Sequence, residues 1–501
     1  MTSTVKMNDA APSDGPLRRP HQTVGLVLGL VLSIGLQLAP PPEGLSREAW
    51  VVVSMAILMA CWWVTEAIPI PATSLLPLVI LPSFGVASVK AAAEPYASPI
   101  VMLLLGGFII AKSVERWNLH ARIALNIVLS AGARPAALVG GFMAASAILS
   151  MWISNTATTI MLTPIAISVA RAVLGPRNMG APFAIALLLS IAYGASIGGL
   201  GTPVGTPTNL IVIGYLEREA GYTIDFSQWM MIGLPTVLVM LPAAWFVLTK
   251  WALKLNAEEG GQGRAVVKAE RDALGPITTP EVRTLLAFAV IAGFWMFRRP
   301  LNGLEVFGLQ PFANVTDHVV AIAGAVAMFL IPSGSKERPR SALLDWDTAS
   351  EIPWGVILLF GGGLSMAAAI TGTGLAAWLG GQMAGLTAAP LIVIMLALVV
   401  FVIFSTELAS NVATASALLP VIGAIAAAGG ADPVLLAVPV AMAASCAFML
   451  PMATGPNAIV FASGRIAIGR MAAIGLRLNL LGVALITLVV YFLAPLVFPS
   501  S

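Results

Sequence analysis

A short polar motif occurs twice, deep in apolar sequence, and it constrains this chain more than any other feature. The first copy reads Ser150-x-x-x-Ser154-Asn155-Thr156-Ala157-Thr158, with Pro164 following. The second reads Thr406-x-x-x-Ser410-Asn411-Val412-Ala413-Thr414, with Pro420 following, 256 positions later. In a bilayer core an unpaired hydroxyl or amide costs roughly several kcal/mol, so such groups need internal partners or a ligand. Two matched polar sites in two halves point to a carrier built from a repeat, with its substrate between the copies.

Composition supports a membrane setting. Of 501 residues, 58% are hydrophobic and only 10% charged, where a soluble domain carries about a quarter charged residues. The net charge of +3 sits in loops and gives no footprint for nucleic acid. Cys61 and Cys446 fall inside apolar stretches and read as small hydrophobes. His21, His120 and His318 have no metal-ligand spacing. The expected fold class is an all-α polytopic membrane protein, without a cleavable signal before its first apolar run.

Spans are expected at about 24–40, 50–67, 69–85, 98–115, 181–215, 228–250, 283–297, 318–332, 353–383, 434–461 and 471–497. Two further stretches, 136–172 and 389–429, carry the Ser-Asn motifs near their middles and read as re-entrant hairpins. Charge placement assigns sides. Arg122, Arg134, Arg171 and Arg177 stand at the feet of the first hairpin, whereas Gly380–Ala388 and Gly429–Asp432, at the feet of the second, carry no Lys or Arg. The first hairpin is therefore expected to enter from the cytoplasm and the second from outside. Lys6, Arg18, Arg19, Lys250, Lys254, Arg264, Lys268, Lys336, Arg338, Arg340 and Arg465 then fall inside, and Arg298 and Arg299 are the exception. About eleven spans put the N-terminus in the cytoplasm, in a plasma membrane such as a bacterial inner membrane.

The repeat extends past the motif. Gly106-Gly107-Phe108 aligns with Gly362-Gly363-Leu364 at the same offset. Pro203-Val204-Gly205-Thr206-Pro207-Thr208-Asn209-Leu210-Ile211-Val212 matches Pro451-Met452-Ala453-Thr454-Gly455-Pro456-Asn457-Ala458-Ile459-Val460. Hairpin plus broken helix thus occurs twice with opposite expected orientation, an inverted-topology repeat. The expected organisation is a tail at 1–22, scaffold helices at 23–135, a transport part at 136–226 with its broken helix at 181–215, and scaffold with a cytoplasmic loop 251–282 at 227–388. A second transport part follows at 389–464 with its broken helix at 434–461, and a last helix at 465–501.

Proline and glycine at mid-membrane free backbone carbonyls and amides, tolerated only beside a cavity or ligand. Freed carbonyls, hydroxyls and Asn oxygens suit a hard monovalent cation, and helix N-termini suit a carboxylate or sulfate. A lone Ser-Asn in a membrane helix more often serves close packing or bonds back to the preceding turn. Two copies in register, each followed by a broken helix, outweigh that explanation. Glu407 abuts the second motif and reads as structural support for the hairpin tip, while Glu66 and Lys112 near span ends can snorkel. Asn314-Val315-Thr316 matches a common glycosylation pattern of little weight.

With Trp117-Asn118-Leu119-His120, the paired Ser-Asn motifs and Leu450-Pro451-Met452-Ala453-Thr454 through Asn457, nearly the whole chain resembles the divalent-anion:sodium symporter family. That resemblance implies a homodimeric elevator-type carrier in membrane lipid that takes up dicarboxylates, citrate or sulfate with sodium as coupling ion and no other cofactor. It implies one sodium site at Ser150, Ser154, Asn155 and Gly205 and another at Thr406, Ala409, Asn411 and Ala453. Substrate carboxylates would meet Asn155, Thr156, Thr206, Asn411 and Thr454. Val412 stands where many members have Thr, and Gly455 and Thr208 where Pro is usual, which bears on substrate identity. Sodium-coupled uptake of a dicarboxylate of the succinate, malate or fumarate type is the leading expectation, and a sodium-independent exchanger or a citrate or sulfate carrier of the same fold is the alternative. A channel would want rings of like groups along a pore, and an intramembrane enzyme a nucleophile with a nearby histidine; neither pattern is present at the motifs.

Overall fold

Proline opens many of the apolar helices, at Pro99, Pro135, Pro182, Pro207 and Pro433, where its missing N–H removes no helical bond. The computed structural model describes residues 20–498 apart from 176, 177, 179, 256–260, 306 and 383–388. Residues 1–19 of the tail, Arg177 at a hairpin foot and 383–388 at another therefore lie outside the described residues. Among the described residues the fold is all helical, with one isolated bridge between Pro332 and Ala342.

Nine helices there are long and apolar enough to cross a membrane, and six shorter apolar helices accompany them. The longest, Ile468–Val497, has 30 residues, a length of about 45 Å. Each Ser-Asn motif falls between two helices: Pro135–Ser150 and Asn155–Leu174 in the first half, Leu391–Thr406 and Asn411–Gly429 in the second. Each expected broken span is also two helices with a non-helical link. Pro182–Gly198 and a 3-10 turn precede Pro207–Glu219, and Pro433–Ala444 precedes Gly455–Ala462.

The centre of the molecule is built from the leading halves of the broken spans. Pro182–Gly201 is wholly buried, and small residues make this compatible with close backbone contact. A Cβ on Gly198 would stand 2.2 Å from the Ala147 carbonyl oxygen, and one on Gly194 2.6 Å from that of Met143. The hairpins cross over between halves: Asn155–Leu174 packs on Gly455–Ala462, and Asn411–Gly429 on Pro207–Glu219. Around them stand Pro20–Leu38 against Arg47–Thr65, and Pro99–Arg116 against Asp317–Leu330.

Among the described helices of more than ten residues, two fall where neither a span nor a hairpin was expected. Leu119–Ala131 is one of the six shorter apolar helices; it has 13 residues, contains His120 and Arg122, and is too short to span a membrane. Gly261–Ala273 carries Arg264, Lys268, Glu270, Arg271 and Asp272, and it packs on Leu119–Ala131 and Asn155–Leu174. Arg298 and Arg299 meet acids: Arg298 Nε lies 2.7 Å from Asp317 and Arg299 Nε 2.5 Å from Asp225. Both arginines are thus neutralised by acids at the starts of two other helices, Phe226–Phe246 and Asp317–Leu330.

Candidate functional site

Both hairpin tips and both broken-span links line one cavity of about 1040 Å³. Four helices begin there, because Ser154, Thr206, Ser410 and Thr454 are their N-caps and all four line its wall. The two halves match in backbone as well as sequence. Ser154 and Ser410 have φ, ψ of −50°, 132° and −59°, 134°, and Thr206 and Thr454 −141°, 142° and −141°, 153°. Each helix N-terminus carries roughly half a positive charge. Four of them together present roughly +2 to one cavity, the complement of a dianion.

Beside this cup each half gathers oxygens. In the first, a Cβ built on Gly205 would lie 2.5 Å from Gly199 O and 3.0 Å from Ser150 O. One on Gly199 would lie 3.1 Å from both Asn155 Oδ1 and Gly205 O. Ser150 Oγ and Asn155 Oδ1 are buried and have no hydrogen-bond partner. An oxygen-lined cradle with two orphaned oxygens fits a small hard cation. In the second half Thr406 Oγ1 lies 2.8 Å from Asn411 Oδ1 and 2.9 Å from Ala444 O. Three oxygens there share one hydroxyl proton, again an acceptor-rich group suited to a cation.

The links are held open by one device used twice. Asn209 Nδ2 donates to Gly199 O at 2.9 Å and Thr202 O at 2.8 Å. Asn457 Nδ2 donates to Ala447 O and Leu450 O, both at 3.0 Å. These asparagines belong to the matched pattern of the broken spans, although sequence alone assigns them no task. The second link has an additional anchor. Glu407 accepts from the backbone N–H of Phe448, Met449 and Leu450 at 2.7, 2.9 and 2.9 Å, and from Asn479 Nδ2 at 2.7 Å. Glu407 therefore supports the hairpin tip, as its position suggested.

Of the residues singled out from sequence, Ser154, Asn155, Thr156, Gly205, Thr206, Ala409, Asn411, Val412, Ala453 and Thr454 all line the cavity. Ser150 and Thr406 lie behind it, fully buried. Gly455 is in contact with Thr156: a Cβ there would stand 2.5 Å from Thr156 Oγ1, so the absence of a side chain at 455 leaves that hydroxyl its room. Lys112 lines the cavity too, with its Nζ 3.2 Å from Glu115 and 3.5 Å from Glu351. Glu66 ends its helix in a left-handed conformation, φ 49°, and also faces the cavity. Residues that sequence reasoning missed are Gly199, whose carbonyl helps shape the cradle, and Ala444, whose carbonyl reaches Thr406. Ala444 sits in a featureless apolar run that gives no local signal.

A helical bundle with two matched helix–tip–helix segments, two broken spans and one cavity shared between them defines a membrane transport protein. Residues 21–498 match the model of the sodium:sulfate symporter transmembrane region. The chain belongs to that family, and the resemblance read from its motifs is borne out. It is 40% identical over 481 residues to the sodium-dependent dicarboxylate transporter SdcS of Staphylococcus saprophyticus, covering 95% of this chain and 92% of that one. To SdcS of Staphylococcus aureus (strain USA300) it is 39% identical over 482 residues, with the same coverage. Two solved transporters share the fold. Neisseria gonorrhoeae MtrF has a TM-score of 0.58 at 12% identity and 95% coverage of both chains. Alcanivorax borkumensis YdaH has a TM-score of 0.58 at 14% identity, covering 89% of this chain and 99% of that one.

Proposed function

We propose that this chain is a sodium-coupled carrier that takes up C4 dicarboxylates of the succinate, malate or fumarate type. The observation that carries this is the meeting of four helix N-termini in one cavity with an oxygen-rich group on either side. The SdcS relatives are named as sodium-dependent dicarboxylate transporters, which supports sodium and dicarboxylate here. In this reading Ser150, Ser154, Asn155 and Gly205 hold one sodium, and Thr406, Ala409, Asn411 and Ala453 the other. Asn155, Thr156, Thr206, Asn411 and Thr454 receive the carboxylates, and Val412 supplies an apolar wall.

The cations bind close to where the anion sits, so each lowers the electrostatic cost of bringing the other out of water. Inward sodium movement down its gradient and toward a negative interior gains about 2.3 kcal/mol per charge per 100 mV. We read residues 136–226 and 389–464 as a moving part and the remaining helices as its scaffold, in a homodimer of about eleven spans per chain. The motion is elevator-like, in a plasma membrane of the bacterial inner-membrane kind, with the N-terminus inside.

Labelled succinate uptake into proteoliposomes tests this, with an inward sodium gradient against choline and with or without internal succinate. Uptake that needs sodium and no internal dicarboxylate is expected. Uptake that needs internal dicarboxylate and ignores sodium would make the protein an exchanger.

Gly205→Ala should be severe. Its methyl would stand 2.5 Å from the Gly199 carbonyl oxygen, a backbone atom that cannot swing away. The expected result is a sodium half-saturation raised more than about tenfold, or lost uptake, because a misplacement of about 1 Å at a binding centre costs on the order of 10²-fold. Wild-type sodium dependence in this variant would remove Gly205 from the site.

A further inference from the structure

The two halves differ at one buried hydroxyl pair, and this pair joins them. Thr208 Oγ1 lies 2.7 Å from Ser445 Oγ, across 237 residues of sequence. Both residues are shielded, at 0% and 2% exposure. At the 248-residue offset that relates the broken spans, Thr208 corresponds to Pro456 and Ser445 to Ile197. The counterpart positions therefore offer no hydroxyl, and the bridge has no symmetric equivalent.

Its two ends reach opposite kinds of group. On one side Thr208 Oγ1 lies 3.5 Å from Thr206 Oγ1, at the outer limit of a hydrogen bond, and Thr206 lines the cup. On the other, Ser445 shares a peptide unit with Ala444, whose carbonyl oxygen is 2.9 Å from Thr406 Oγ1. Thr406 in turn reaches Asn411 Oδ1 at 2.8 Å. A continuous polar chain thus runs from the anion cup of one half to the oxygen cluster of the other. A buried hydroxyl left without a partner is costly, so the pair is held together and fixes the Ala444–Ser445 peptide plane.

We propose that Thr208 and Ser445 are positioning residues for the second cation site, setting where the Ala444 carbonyl points and linking that site to Thr206 in the anion cup. This rests on the assignment of Thr406 and Asn411 to sodium. The bland alternative is a hydroxyl pair that merely glues two helices. Glue of that kind would change stability and leave the sodium dependence of transport where it was.

The test is sodium-dependent uptake of labelled succinate by the reconstituted full chain, comparing the parent with Thr208→Val, Thr208→Ser, Ser445→Ala and the Thr208→Val/Ser445→Ala double variant. Thr208→Val and Ser445→Ala should each raise the sodium half-saturation roughly 3- to 10-fold, with the change falling on that constant more than on the maximal rate. Thr208→Ser, which keeps the hydroxyl, should restore it to within about twofold. The double variant should be no worse than either single one, because both remove the same link. Thermal stabilisation by sodium alone, without dicarboxylate, should need correspondingly more sodium in the variants. An unshifted sodium dependence in folded Thr208→Val, or in Ser445→Ala should the former not fold, would overturn the bridge, as would additive effects in the double variant. A parent that transports without sodium would remove the cation assignment and the bridge together.

Discussion

Asn155→Ala lowers sodium-driven uptake by at least about 100-fold and leaves the folded protein intact. Asn155 lines the cavity at the start of its helix, and its Oδ1 is buried without any hydrogen-bond partner. A side chain whose acceptor serves no neighbour contributes little to folding through that atom, so its removal breaks no internal bond. For a bound cation and anion the loss is different. In the proposed function Asn155 is shared between the first sodium site and the carboxylate cup, so both ligands would lose a direct partner at once. Charge-assisted contacts of this kind are worth about 1.5–3 kcal/mol each, and two of them account for a change of about 100-fold or more. Initial uptake rates in proteoliposomes, normalised to reconstituted protein, measure it beside a thermal unfolding curve. A normal rate would take Asn155 out of the site, and a collapsed unfolding temperature would make its role structural.

Glu407→Ala should do the reverse, striking the fold first. Its carboxylate gathers three consecutive backbone amides and the Asn479 amide, all within 2.7–2.9 Å, at 3% exposure. Alanine leaves four donors facing each other in the protein interior, at about 1–3 kcal/mol apiece. The sum of at least about 4 kcal/mol is comparable with the whole stability of many proteins. Little monodisperse protein is expected after detergent extraction, with a strongly lowered unfolding temperature in what remains. Glu407→Gln should fall between, since one oxygen becomes an amide that confronts donors. An alanine variant that melts with the parent would show the 448–450 link to be held by something else.

The contrast between these two residues marks how far sequence carries. Both are visible in the sequence as polar groups in apolar surroundings, and Glu407, which abuts the second motif, reads as support for the hairpin tip. Its partners were not visible. The amides of Phe448, Met449 and Leu450 are backbone groups, which carry no residue-specific signal, and Asn479 lies 72 residues away. The short helices Leu119–Ala131 and Gly261–Ala273 escaped for a related reason. Leu119–Ala131 is too short to read as a span, Gly261–Ala273 is too polar to read as an apolar run, and both are held by the elements they pack on.

The sequence by itself determined the membrane setting, the repeat, the two hairpins, the two broken spans and the residue types of the cup. Those features rest on local rules: apolar length, proline and glycine as helix breakers, and polar groups that cannot stand alone in lipid. Only the tertiary structure decided that four helix ends meet in one cavity, that Gly199 and Ala444 lend carbonyls to its flanks, and that Thr208 reaches Ser445 in the other half. Such contacts depend on close approach of segments hundreds of residues apart. Carbonyl direction and helix crossing follow from packing, which a single chain of letters does not record.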